Sequence, residues 1–506
     1  MFLQKTDPAT IFSLIVIGGV TAVCYTVFYR LYLHPLAKFP GPWYSRVSSI
    51  PLALLSYFYL EQKWQHHLME KYRGESAIRI KPDTIFFPKP SALREIYWDL
   101  KCNEKSRMYG HGGFGPPSLF STRSSVEHKP LRKALGAAPW SIGSLKVDWE
   151  PRIDDQIQLF ISKMMEHAKE NASVVICDKL AQFAADIMTT FTFNEPWGFV
   201  ENGRDEKGLL ASFRRDLDFI GWSQRFNFFR DYVMKLPGLA GLLMPQPETH
   251  SGMGFLIAEA GIQVTKREKD LSQGLYPEKP DFLQHCLEAR MDGHPLSHQQ
   301  KQTHTTLLIQ AGADSTGTLL GSTLRFLTVT PGALEKAREE ISATESSNLL
   351  STPVKYEETR EHLPFIAASI KETIRLNPPF PNWFARIVQP EGKTIDGVFI
   401  PGGVDITSNA YSVQRDRDLY APDPDDFRPE RWLVEGKEAE YDAATYAFGM
   451  GPRVCLGKDF AIMETFKLIP EIIRRFDIEV LNPGKWVVAG GISYNRDFVV
   501  KLRARD

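Results

Sequence analysis

The stretch Phe448 to Gly457, reading FGMGPRVCLG, constrains this chain more than any other part of it. Gly449, Gly451 and Gly457 surround one cysteine, Cys455, and a run of helical periodicity, Asp459 to Phe476, follows at once. The loop therefore delivers Cys455 to a helix N-terminus, where the macrodipole and unpaired backbone N–H groups favour the thiolate. The glycines let the backbone approach the sulfur and take positive φ where a turn demands it. Arg453 sets a fixed cation within reach of a carboxylate, and Phe448 offers the sulfur an apolar neighbour. The plainer alternative is that a lone cysteine is only a small buried hydrophobe.

The order Phe448, Gly451, Arg453, Cys455, Gly457 resembles the haem-thiolate signature of the cytochrome P450 family at every fixed position. The resemblance implies that Cys455 is the axial ligand of a haem iron, with haem b as cofactor. It also implies that Phe448, Arg453 and Gly457 border that cofactor. Further matches lie upstream in family order. His128 and Arg132 in EHKPLRKAL fall four apart, on one helical face if a helix starts near Lys129, and a solvated basic face is the alternative. The family places a Trp-x-x-x-Arg pair here for a haem propionate. His128 stands at the tryptophan position and Arg132 matches. Arg386 in PNWFARIV is, by position, the second guanidinium for a propionate.

Gln300 to Val329 reads as a long helix ending at Pro331-Gly332, with Gly312, Gly317 and Gly321 in its middle. Each glycine costs about 1 kcal/mol against alanine in a helix interior, so each needs a reason, close helix packing being one. Ala311 to Thr316 resembles the family's oxygen-binding groove. By that resemblance Asp314 supplies protons and the hydroxyl of Ser315, where threonine is usual, orders a water. Glu372 and Arg375, with Arg431 in FRPERW, match the family's structural triad, which holds the scaffold and does no chemistry. Gly110 to Gly115 matches a dinucleotide-binding pattern, but no strand precedes it and Pro116-Pro117 follows, so it reads as a loop.

Ile11 to Tyr29 carries no charge and as a helix spans roughly 28 Å, enough to cross a bilayer. Arg30, Lys38 and Arg46 follow it against Lys5 before it, which keeps the C-terminal side cytosolic. The expected organisation is a lumenal segment at 1–10, a transmembrane anchor at 11–33, a proline-rich hinge at 34–50 and one catalytic domain at 51–506. Family members held in the endoplasmic reticulum membrane have a similar proline turn. Ala77 to Phe87 and Thr394 to Asn409 read as hairpins of one small sheet, and Phe476 to Leu481 and Phe498 to Leu502 as two short strands. Helical periodicity covers most of the rest. The fold class is therefore mainly α with small β-sheets, as in the P450 fold, plus one N-terminal transmembrane helix.

Composition narrows the partners. The 60 basic and 61 acidic residues leave a net charge of −1 without any block of like charge, which excludes nucleic acid. Five cysteines (24, 102, 177, 286, 455), odd in number and without paired spacing, fit a reducing compartment. The sequon Asn171-Ala172-Ser173 reads as chance.

The resemblance implies a monooxygenase: RH + O₂ + two electrons + two protons → ROH + H₂O. Electrons would come from NADPH through a separate NADPH–cytochrome P450 reductase, docking near Lys129, Lys133 and Lys458. The family's architecture points to Met108–Phe120, Phe219–Leu243, Leu307–Ala313, Phe380–Phe384 and Gly490–Tyr494 as the lining for an apolar small-molecule substrate. The HPLAKFPGP and MGPRVCLGK stretches point to a fungal, secondary-metabolite enzyme. A P450-fold isomerase or dehydratase would need no external electrons, and the acid–alcohol pair Asp314–Ser315 argues against it. A membrane-tethered haem sensor or carrier is the remaining alternative. NADPH consumption separates the three.

Overall fold

In the computed structural model, which describes residues 8–99, 104–109, 115–136, 138–243, 251–381 and 384–505, the apolar N-terminal run forms helix α1 (Pro8–Phe28). Nothing in that run offers a polar face. The stretch Ala9–Leu33 has a mean hydropathy of 2.2, and none of it is buried against the protein. A helix apolar all round and left uncovered suits lipid better than water, so it fits a membrane anchor. The segment expected to be a hinge is instead packed down. Leu36 and Phe39 are buried in a core with Ile85, Ile96 and Ile406. Arg46 donates to the Leu31 and Ala37 carbonyls, and Arg79 donates to the Arg30 carbonyl at 2.8 Å.

The first hairpin forms as read, from β1 (Ile78–Lys81) and β2 (Thr84–Phe86). The second hairpin, Lys393–Ile395 with Val398–Ile400, does not join it but stands as a separate two-stranded sheet. The partner of β2 is the next segment along, Asp405–Thr407, which pairs with it in parallel and with Arg386–Ile387 antiparallel. Gly403, at φ +79°, turns the chain between that hairpin and Asp405. At the C-terminus the two short strands are long ones, Phe476–Ala489 and Ile492–Ala504. Their register shifts between Val480 and Asn482, so the irregularity near Asn482-Pro483-Gly484 is a bulge inside a ladder and not its end.

The main core gathers around helices α2 (Ser125–Leu135), α3 (Ile176–Phe193), α5 (His298–Val329), α6 (Pro364–Leu376) and α7 (Lys458–Arg475), while α4 (Leu209–Arg225) packs in a second cluster against α3 and α5. Ser124 caps α2, accepting from the Val126 N–H, so α2 begins four residues before the expected Lys129. Pro130 then lies inside the helix. The N–H it lacks is a loss that burial of Leu131 and Leu135 offsets. A capping box, Ser297 with Gln300, starts α5.

The three glycines of α5 are packing residues. A Cβ at Gly317 would lie 2.6 Å from the Ala181 Cα on α3, one at Gly312 would strike Met188, and one at Gly321 would strike Asn495. Their absent side chains let α5 lie close against α3 and the C-terminal ladder.

Buried near the cysteine loop is the triad. The Glu372 carboxylate accepts from Arg375 at 2.8 Å twice, from Arg431 at 3.0 Å and from the Trp432 indole at 2.9 Å. Arg375 also donates to the Gln414 carbonyl at 2.8 Å. The Gln414 side chain accepts the Tyr446 and Ala447 N–H groups at 2.7 and 3.0 Å. A continuous set of hydrogen bonds thus runs from the triad to the start of the loop.

Candidate active site

The loop is shaped by two glycines in positive φ, Gly449 at +71° and Gly451 at +70°. A side chain at Gly451 would also meet the Tyr97 carbonyl at 2.2 Å, so no other residue fits there. Gly457 has an ordinary negative φ of −87° and precedes α7 as its N-cap. The loop closes on itself where Cys455 donates its N–H to the Phe448 carbonyl at 2.8 Å. Phe448 packs against the main core.

Cys455 is accessible, yet deep enough that desolvation dominates its proton equilibrium. Burial pushes its thiol above the ordinary range, against the opposing pull of the Gly457 N–H and Arg132. This reverses the expectation that the helix end alone yields a thiolate. A metal cation bound to the sulfur would supply the missing stabilisation.

Arg132 donates to the Val454 carbonyl at 2.7 Å, one residue before Cys455. Arg453 donates to the carbonyls of Thr122, Arg123 and Ser124 at 2.8 to 3.2 Å, which ties the loop to the N-terminus of α2. Arg386 is buried on its strand, donates to the Phe384 carbonyl at 2.8 Å, and lies 5.0 Å from the Tyr97 ring centroid. His128 is buried beside these cations. Burial first, then Arg453, Lys105, Arg132 and Arg386, push its imidazole down to about 3. It is therefore neutral at any ordinary pH and can offer a carboxylate one N–H but no charge.

The structure adds a member that the sequence reading missed. Lys105 is 4% exposed, pairs by backbone with Arg386, and bonds the Phe120 carbonyl through its ammonium. Nothing in CNEKSRMYG marks it, because its neighbours come from segments far away in the chain. Arg132, Arg386, Arg453 and Lys105 together form a partly buried cationic cluster. Such a donor set fits a ligand carrying two carboxylates.

Asp314 and Ser315 point in different directions. Ser315 is half-buried and Ala311 is exposed, in a stretch of α5 whose neighbours are mostly buried. The Ser315 hydroxyl donates to the Ala311 carbonyl at 2.6 Å. Asp314 is 2% exposed and faces α4, where Arg214 donates to its Oδ1 at 2.9 and 3.1 Å. Its Oδ2 is buried without a hydrogen-bond partner. Burial raises its carboxyl above the usual range, in spite of Arg214. Arg214, a second residue the sequence reading did not single out, also reaches Asp178 at 3.3 Å and lies 5.2 Å from the Tyr494 ring.

Several of the expected lining stretches meet. Phe120, Phe380 and Phe384 form a ring-to-ring series at 6.3 and 4.8 Å. Gly490 lies against the Leu217 backbone of α4. Of the glycine-rich loop, residues 110–114 lie outside the described residues, as do 382–383 of the PNWFARIV stretch.

A helical domain that presents the accessible Cys455 beside a cluster of buried basic side chains has the makings of a haem-thiolate enzyme. A family model described as Cytochrome P450 matches residues 106–486. The chain is 29% identical over 504 residues to cytochrome P450 monooxygenase cicH of Emericella nidulans, covering 95% of this chain and 96% of that protein. It is 28% identical over 508 residues to monooxygenase gsfF of Penicillium aethiopicum, covering 98% and 99%. To monooxygenase aba1 of Botryotinia fuckeliana it is 30% identical over 489 residues, 92% of each chain. The chain belongs to the cytochrome P450 family. It is a P450 monooxygenase, whose cofactor is a haem iron.

Proposed function

We propose that this enzyme is held in the endoplasmic reticulum membrane, carries haem b, and oxygenates an apolar organic substrate in fungal secondary metabolism. The observation that carries the reading is Cys455, accessible at the end of its glycine loop, beside three guanidiniums and the Lys105 amine, a donor set suited to two propionates. When bound, the haem supplies the redox-active iron at which dioxygen is reduced.

The residues around it divide the remaining work. Cys455 would ligate the haem iron, and Arg132, Arg386 and Arg453 would hold its carboxylates with His128 as a neutral donor. Ser315 holds a water at the accessible step of α5. Asp314, protonated more readily than an ordinary aspartate, passes protons towards that water. Lys129, Lys133 and Lys458 are exposed and would offer an NADPH–cytochrome P450 reductase a basic landing surface.

The test is product formed per NADPH consumed, with peroxide measured alongside, using a supplied reductase. Asp314→Asn keeps shape but removes the titrating group, so turnover should fall on the order of 100-fold while haem and substrate still bind. Ser315→Ala should keep consuming NADPH but divert it to hydrogen peroxide, and Ser315→Thr should hold or improve the yield. Unchanged coupling in Ser315→Ala would reduce this hydroxyl to a helix packing residue.

The anchor has its own test. Removing residues 1–28 should move the protein to the soluble fraction with its haem spectrum intact. Removing residues 1–36 also deletes the buried Leu36, a loss of about 1.5–3 kcal/mol, so that version should melt earlier. A full-length protein already soluble without detergent would refute the anchor.

A further inference from the structure

The buried lysines among the described residues are Lys81, Lys105, Lys301 and Lys467. Three of them have a carboxylate. Lys467 lies 2.8 Å from both Glu150 and Asp154, Lys301 lies 2.7 Å from Glu268, and Lys81 lies 3.6 Å from Asp83. Lys105 has none within ion-pair distance. Its ammonium has one acceptor, the Phe120 carbonyl, and two ring faces, Tyr109 and Phe120, each with its centroid 4.4 Å away.

The charges around Lys105 oppose its own. Arg386 faces it across the backbone bridge, Arg453 comes from the cysteine loop and Arg132 from α2, which also brings the neutral imidazole of His128. Arg123 donates to its carbonyl at 3.3 Å, and Glu104 precedes it in the chain. An ammonium desolvated among cations is costly, and lysine, unlike arginine, can shed its proton. Burial, with Arg386 and Arg453 beside it, pushes this amine well below the ordinary lysine range.

We infer that Lys105 couples cofactor loading to proton uptake: it takes a proton from solvent as the cofactor's carboxylates arrive, becoming the fourth cation that holds them. The step is R–NH₂ + H⁺ → R–NH₃⁺, with no other bond made and no electron moved. The two ring faces then favour the cation that forms. This rests on the haem reading above. It adds that a neutral amine, not a standing charge, occupies this corner before loading. An arginine here would leave the empty receptor more strongly self-repelling.

The linkage has a definite sign. A proton gained on loading makes haem retention fall as pH rises, by up to about tenfold per pH unit for one proton. The experiment partitions haem at equilibrium between the purified holoenzyme and an excess of apomyoglobin from pH 6.5 to 9, read by absorption. It compares wild type, Lys105→Arg and Lys105→Met. Contributions from the cysteine and the competitor are common to all three and cancel in the comparison.

Wild type should lose haem more steeply with pH than either variant. Lys105→Arg should retain haem at high pH, because its charge does not titrate. Lys105→Met should lack the added slope and retain haem more weakly at low pH, by tenfold or more. Equal slopes in wild type and Lys105→Arg would overturn the inference, and that comparison stands even where Lys105→Met fails to fold. A purified wild-type protein with no haem absorption would instead sink the haem reading itself.

Discussion

Cys455→Ser is expected to abolish the strongly red-shifted Soret band of the reduced carbon monoxide complex, and all monooxygenase turnover with it. The sulfur supplies electron density to iron that a serine oxygen does not, and among the described residues no other cysteine is placed to substitute for it. Cys177 and Cys286 are buried, and burial pushes both thiols up, Cys177 to about 11. Cys24 lies on the apolar N-terminal helix. The substitution should leave the loop standing, because its closing hydrogen bond uses the Cys455 backbone N–H and the Arg132 contact uses the Val454 carbonyl. Loss of the band together with folding would therefore report on ligation alone. A variant that kept the band would place the ligand elsewhere.

Glu372→Gln is expected to be the most destabilising single change that adds or removes no side-chain volume. Glu372 is completely buried and accepts from two guanidiniums, an indole and the Arg428 N–H. Removing its charge leaves Arg375 buried without its anion and Arg431 with Asp423 alone, and breaking a buried pair in this way costs about 3–5 kcal/mol. The defect should spread to the cofactor, since Arg375, Gln414 and the Tyr446 and Ala447 N–H groups form one chain of bonds to the cysteine loop. Thermal melting should show a lower midpoint, and haem should leave the variant faster.

The pH dependence of that stability follows from the same contacts. Burial alone would raise the Glu372 carboxyl, but Arg375 and Arg431 outweigh it and hold the group below its ordinary 4.5. A depressed native value means that its contribution is fully present above pH 4.5. It is lost as pH falls through the lower native value. Wild type should therefore lose stability in acid with an increment that Glu372→Gln lacks. Parallel acid-unfolding curves for the two proteins would contradict this account of the triad.

What could be read from the chain, and what could not, divides along a physical line. The cysteine loop was legible because its geometry is local: two glycines must take positive φ within six residues of the sulfur, and a helix must follow at once. The apolar N-terminal helix and the long α5 were legible for a related reason, since length, absence of charge and capping are properties of consecutive residues. His128 and Arg132 share a helical face whichever residue starts the helix, so the pair survived an error of four residues in its N-terminus.

The strand pairings were decided elsewhere. Both Val398–Ile400 and Asp405–Thr407 read as strands of one hairpin region. Only packing shows that the second adds to the first sheet while the hairpin stands apart. The proline-rich segment looked like a free hinge because proline stiffens without revealing burial, whereas Leu36 and Phe39 fix it in a core.

The sequence alone thus determined the cysteine loop, the helical class and the apolar N-terminal helix, each carried by short-range spacing. Tertiary structure alone decided which charges meet. Lys105, His128, Arg386 and Arg453 converge from four distant segments, and Asp314 finds Arg214 a hundred residues away. Coulomb and desolvation effects depend on distance in space and on burial, and neither is encoded in any local pattern of residues. That is why the chain pointed to the cysteine loop, while the proton states of the groups around it had to be read from the fold.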